Sequence, residues 1–130
     1  MKPERNPVGW FEIYVNDMPR AKAFYEAVFN TKLTSLASPT GDEAGLEMWQ
    51  FPGGPDGLGC PGALCKMEGC EAGGGGTLIY FSCEDCSIEV ARVTANGGGV
   101  FKDKFGIGEY GFIAIICDTE GNSIGLHSMK

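Results

Sequence analysis

Along this chain, stretches in which apolar residues alternate with others give way at an acidic residue to stretches in which apolar residues recur every three or four positions. Such a change of period marks a strand feeding a helix. Phe11, Ile13 and Val15 alternate with Trp10, Glu12 and Tyr14, which predicts a strand with one aliphatic and aromatic face and one face carrying a carboxylate between two rings. Asp17 stands where a helix N-cap belongs, Pro19 suits the first turn, and Ala23, Phe24, Ala27 and Val28 form a stripe predicted to cover the Phe11 face. Asn30 ends that helix. Strands are predicted over 32–37, over 46–51 with Trp49 and Phe51 on one side, and over 63–68; a loop over 38–45 and the turn-rich PGGPDGLGCPG separate them.

The second half repeats the pattern. A strand is predicted over 77–83, a helix over 87–96 and a glycine stop over 97–99. Strands over 100–103, 112–117 and 123–128 follow, with a loop over 105–111 and the turn DTEGN over 118–122. The two copies stand a constant 68 positions apart (80 − 12 and 85 − 17), with Asp17 matching Asp85, Ala23 matching Ala91 and Ala27 matching Ala95. Residues 69–76 (GCEAGGGG) are too rich in glycine for regular structure and are expected to join two halves. The expectation is one domain over 1–130, made of a βαβββ module over 7–68, a linker over 69–76 and a second βαβββ module over 77–130.

Composition narrows the picture. In 130 residues, 21 glycines imply tight turns and short strands, which argues against a helical bundle. A net charge of −7 sets the chain against phosphate backbones, and its ten Lys and Arg form no basic block, so a nucleic-acid partner is not expected. The opening MKPERNP lacks the apolar stretch of a signal peptide. No apolar run approaches the roughly 18 residues that a membrane span needs. The expected setting is cytoplasmic, with no membrane partner.

The residues Phe11-Glu12-Ile13 with Asp17, Arg20-Ala21-Lys22-Ala23-Phe24-Tyr25 and Val28-Phe29-Asn30 resemble the first strand and "A-x-x-FY-x-x-V-x-G" helix of the vicinal oxygen chelate superfamily, with Asn30 in place of the usual glycine. That superfamily contains glyoxalases, bleomycin-resistance proteins and extradiol dioxygenases. Asp85, Ala91, Val93 and Gly97-Gly98, then Asp118 to Ile124, are similar to its second module and its "D-P-x-G-N-x-I" turn. The resemblance implies an α+β fold in which two βαβββ modules pair into an incomplete eight-stranded barrel with a cup for a small molecule. It also implies a homodimer. Metal-dependent members draw His, Glu or Gln ligands from the first and last strand of each module, and the ion stabilises an enolate or oxyanion.

Carried over residue by residue, the first ligand position matches Glu12, the third Tyr80 and the fourth Gly125, while the second falls within 64–66. Only Glu12 is a good ligand, because glycine offers no side chain and neutral tyrosine is a poor partner for a divalent ion. The expectation is therefore no cofactor; the alternative is a divalent metal (Zn, Ni, Mn or Fe) held by Glu12 with His127, the sole histidine. Glu12 has two readings, a buried carboxylate satisfied by Tyr80 or a backbone N–H, and a catalytic base with a raised pKa in an apolar cup. The expected ligand pocket is lined by Trp10, Tyr14, Trp49, Phe51, Tyr80, Tyr110 and His127, which favours a flat or hydrophobic ligand. Two functions stay open: a metal-free small-molecule-binding protein, and a glyoxalase-like lyase or isomerase, related to lactoylglutathione lyase, acting on a small carbonyl compound with Glu12 as base.

Six cysteines without a secretion signal read as reduced thiols. Cys83-Glu84-Asp85-Cys86 is a CxxC at a strand-to-helix junction, where redox or metal chemistry is possible but where Glu84 and Asp85 would oppose a thiolate.

Overall fold

A computed structural model describes residues 5–37, 45–53 and 59–130. They divide into two compact units, Phe11–Leu78, and Ile79–Lys130 together with the segment ending at Trp10.

The Phe11–Leu78 unit holds most of strand β1 (Val8–Tyr14), helix α1 (Met18–Phe29) and strands β2 (Thr34–Leu36), β3 (Glu47–Gln50) and β4 (Gly62–Lys66). Its strand order is β2-β3-β4-β1; β4 runs parallel to β1 and the other pairs are antiparallel. Asp17 opens α1 from an extended conformation, and its Oδ1 accepts the Arg20 N–H at 3.0 Å, so one orphan donor of the first turn is satisfied. Asn30 closes the helix in the left-handed region at φ 48°, a conformation that asparagine tolerates better than most residues.

The helix is rotated from the expected setting. Ala23, Phe24, Ala27 and Val28 do not cover the sheet; all four are exposed, Phe24 by 58% and Val28 by 57%. Met18, Ala21 and Tyr25, spaced three and four apart, face the sheet instead. They pack with Val15, Leu33, Leu64 and Ile13, and Tyr25 meets the Phe51 ring edge-on at 5.8 Å. Met18 and Leu64 are fully buried, which fixes the rotation.

The other unit holds most of β5 (Thr77–Ser82), α2 (Cys86–Val93), β6 (Gly99–Gly106), β7 (Phe112–Cys117) and β8 (Ser123–Ser128). Its order is β5-β8-β7-β6, again with one parallel pair, β5 with β8. Helix α2 packs over Ala114, Ile116 and Leu126 through Cys86, Val90 and Val93. Asp85 caps it: Oδ1 accepts the Ser87 hydroxyl at 2.7 Å, the Lys104 ammonium at 2.9 Å and the Ser87 N–H at 3.0 Å, and these bonds, the hydroxyl first, hold its carboxyl down to about 2. The α-helix stops at Val93 and a 3-10 turn continues to Asn96, where Gly97 takes φ 92°. Strand β6 is twice the expected length; its two register irregularities let it run on to Gly106, and only Gly108–Tyr110 of the expected loop is a 3-10 turn.

The architecture is α+β, with eight strands and two α-helices among the described residues. The loop expected over 38–45 lies outside the described residues except for Gly45, as do residues 54–58 of the turn-rich segment.

Candidate functional site

Pairing in the Phe11–Leu78 unit sorts its side chains onto two faces. Ile13, Leu64 and Trp49 are cross-strand partners and belong to the core under α1. The alternate set, Glu12 beside Ala63 beside Gln50, and Tyr14 beside Cys65 beside Met48, therefore lies on the opposite face.

On that face Glu12 is only 8% exposed. Tyr14, two residues along the same strand, donates its hydroxyl hydrogen to Glu12 Oε1 at 2.8 Å. A hydrogen bond to an ionised oxygen is stronger than one between neutral groups, and it aims the carboxylate. Cys65 is fully buried beside this pair, and its thiol pKa is pushed up by burial first, then by the charge of Glu12 and by Cys70. It stays a protonated thiol.

In the other unit the face away from α2 carries Tyr80 beside Gly125 beside Ile115, then Ser82 beside His127 beside Ile113. The face under α2 takes the alternate residues, Phe81, Leu126 and Ala114. Tyr80 is 7% exposed and its ring covers Gly125 so closely that a Cβ at 125 would overlap the ring carbons. His127 shares the face of Tyr80 and Gly125, and its Nε2 is 2.5 Å from the carbonyl of Tyr110, the last residue of the 3-10 turn. A carbonyl only accepts, so Nε2 carries a hydrogen.

The expected site residues are thus distributed. Glu12 and Tyr14 are brought together in one unit; Tyr80, Tyr110 and His127 fall in the other, as does Trp10 at intermediate burial. Trp49 and Phe51, expected to line the pocket, lie on the helix-facing side, away from Glu12. There Trp49 Nε1 donates to Glu47 Oε2 at 3.0 Å, the Lys22 ammonium sits 3.5 Å from the centre of its ring, and Phe51 packs against Phe11 at 5.5 Å. Of the residues that do share the Glu12 face, Cys65 falls within the 64–66 range expected for the second ligand position, and Gln50 was not expected there. The parity of β3 was the available signal, since Gln50 alternates with Trp49.

Among the described residues Glu12 lies beside Ala63 and near the protonated Cys65 thiol, and a Cβ at 125 would overlap the Tyr80 ring; Tyr110 engages only Nε2 of His127.

Two units of identical strand order, each a sheet backed on one face by a helix, define a βαβββ type of fold. The sequence matches the Glyoxalase/Bleomycin resistance protein/Dioxygenase superfamily over residues 8–126, and the chain belongs to that superfamily. No curated protein matches it. Among solved structures it is similar to a hypothetical protein from Bacillus halodurans C-125 (15% identity, TM-score 0.69, 95% of this chain and 94% of that one). It is also similar to methylmalonyl-CoA epimerase from Mycobacterium tuberculosis (14%, 0.64, 95% and 88%). A third is a variant methylmalonyl-CoA epimerase from Streptomyces coelicolor in complex with 2-nitronate-propionyl-CoA (17%, 0.63, 94% and 93%). At these identities the likeness is one of fold. Among the described residues no helix is long and apolar enough to cross a membrane.

Proposed function

We propose that this chain is a metal-independent, small-molecule-binding member of the superfamily, with the Glu12–Tyr14 pair as the polar anchor for its ligand. The observation that carries the reading is the Tyr80 ring over Gly125, which removes a side-chain ligand from the position where metal-dependent relatives place one. A buried carboxylate oriented by a neighbouring hydroxyl suits a ligand that presents an N–H or O–H donor from an otherwise apolar body. The test is intrinsic tryptophan fluorescence during titration with bleomycin, methylmalonyl-CoA and the hemithioacetal of methylglyoxal and glutathione, each with and without EDTA. Saturable binding that EDTA leaves unchanged, and that Glu12→Gln weakens at least about tenfold, is the expected result. Metal at one equivalent in the purified protein, removed together with binding by EDTA, would overturn it.

A second reading is favoured by the burial of Glu12. A carboxylate out of water is a stronger base, and here it would take a proton from the carbon beside a small carbonyl group, as a glyoxalase-like lyase or isomerase requires. Solvent deuterium exchange into those same carbonyl compounds separates the readings: exchange lost in Glu12→Gln indicates the enzyme, and binding without exchange indicates the binder.

A further inference from the structure

The Ile79–Lys130 unit holds a separate cluster of reactive groups. Cys83 and Cys86 bracket the junction from β5 to α2 and pack in one cluster beneath the helix. Cys86 is fully buried, while Cys83 is partly exposed. Successive residues of β8 pin both backbones: the Cys83 N–H donates to the His127 carbonyl at 2.7 Å, and the Cys86 N–H donates to Ser128 Oγ at 3.0 Å. Adjacent anchors keep the two cysteines close to one another.

Glu89, one turn further along α2, reaches the same place. Its Oε1 is buried, and its carboxylate faces the Cys83 thiol. Burial first, and then the charge and hydrogen bonding of Glu89, push the Cys83 thiol up to about 11. The acids between the cysteines are occupied elsewhere. Asp85 caps α2 and binds Lys104, and Glu84 pairs with Lys130 at 3.6 Å.

We propose that Cys83 and Cys86 are a dithiol–disulfide couple that closes on reaction with a low-molecular-weight disulfide, the partly exposed Cys83 being the entry thiol. In the first step Cys83 loses its proton and its sulfur attacks one sulfur of the small disulfide. The S–S bond breaks, a mixed disulfide forms on Cys83, and the released thiolate takes up the proton. Cys86 then loses its proton and attacks the Cys83 sulfur, releasing the second small thiolate, which is protonated in turn. Two protein thiols have become one disulfide, and two electrons have reduced the small disulfide to two thiols. Glu89 keeps the entry thiol protonated, so closure is slow at neutral pH. The same feature favours the closed form once made, because strongly oxidising couples owe their high potential to a stabilised reduced thiolate, which is lacking here.

The test equilibrates the full chain in glutathione buffers of rising oxidised fraction, quenches in acid, alkylates and maps all six cysteines by mass spectrometry. An internal Cys83–Cys86 disulfide is expected in the wild type. Cys86→Ser should stop at a glutathione adduct on Cys83, and Cys83→Ser should leave Cys86 unmodified. If the buried Cys86 substitution unfolds the protein, Glu89→Gln supplies the second readout: iodoacetamide should alkylate Cys83 about tenfold faster for each pKa unit that the lost charge releases. Wild-type protein that keeps both thiols in buffers that convert the exposed Cys60, or that holds a glutathione adduct on Cys83 without closing, would overturn the proposal.

Discussion

The faces turned away from the two helices can be compared row by row. Glu12, Ala63 and Gln50 cross the first sheet where Tyr80, Gly125 and Ile115 cross the second; Tyr14, Cys65 and Met48 answer to Ser82, His127 and Ile113. Strand order and pairing are the same in both. One row carries a buried carboxylate with its own hydroxyl donor, and the other carries a ring laid over a glycine. Similar backbones thus present a hydrogen-bonded carboxylate in one unit and a ring-covered glycine in the other, so symmetry of fold does not carry over to the side chains.

The comparison can be broken most severely at Gly125. Gly125→Glu should destabilise the protein by about 3 kcal/mol in urea unfolding, because the Tyr80 ring occupies the new side chain's path. Adding Tyr80→Ala should recover part of that loss, whereas a single variant as stable as wild type would show that the ring is not a barrier. A smaller effect belongs to the polar row. Tyr14→Phe should cost about 1.5 kcal/mol by removing the donor to a buried carboxylate, and should weaken ligand binding in the fluorescence titration. The smallest effect is expected on the outer side of α1, where Phe24→Ala should change stability by less than about 0.5 kcal/mol, in contrast to the larger loss from Tyr25→Ala in the core.

Much of the fold was readable from period and punctuation. Asp17 and Asp85 announce the two helices because a short acidic side chain is suited to bonding the first-turn N–H groups, and both do so. The rotation of α1 was not readable. Two stripes overlap on that helix, and hydropathy favours Phe24 and Val28 over Ala21 and Tyr25, yet burial went to the stripe continuous with Met18. The site was partly readable: Glu12 and Tyr14 had to share a face because two residues separate them on a strand. Trp49 and Phe51 were misplaced for a related reason. Alternation shows that Trp49 and Gln50 point opposite ways, but only cross-strand pairing with Leu64 decides which of them faces the helix. Glu89 does not stand out in the sequence beside Glu84 and Asp85, which flank the cysteines, although its counterpart 68 positions earlier, Ala21, lies on the buried side of α1.

The ring over Gly125 also ties two positions together. A side chain can be added at 125 only if the Tyr80 ring gives way, by a shift or by replacement with a smaller residue. Substitutions at 80 and 125 should therefore not be additive, and either position constrains what the other can become.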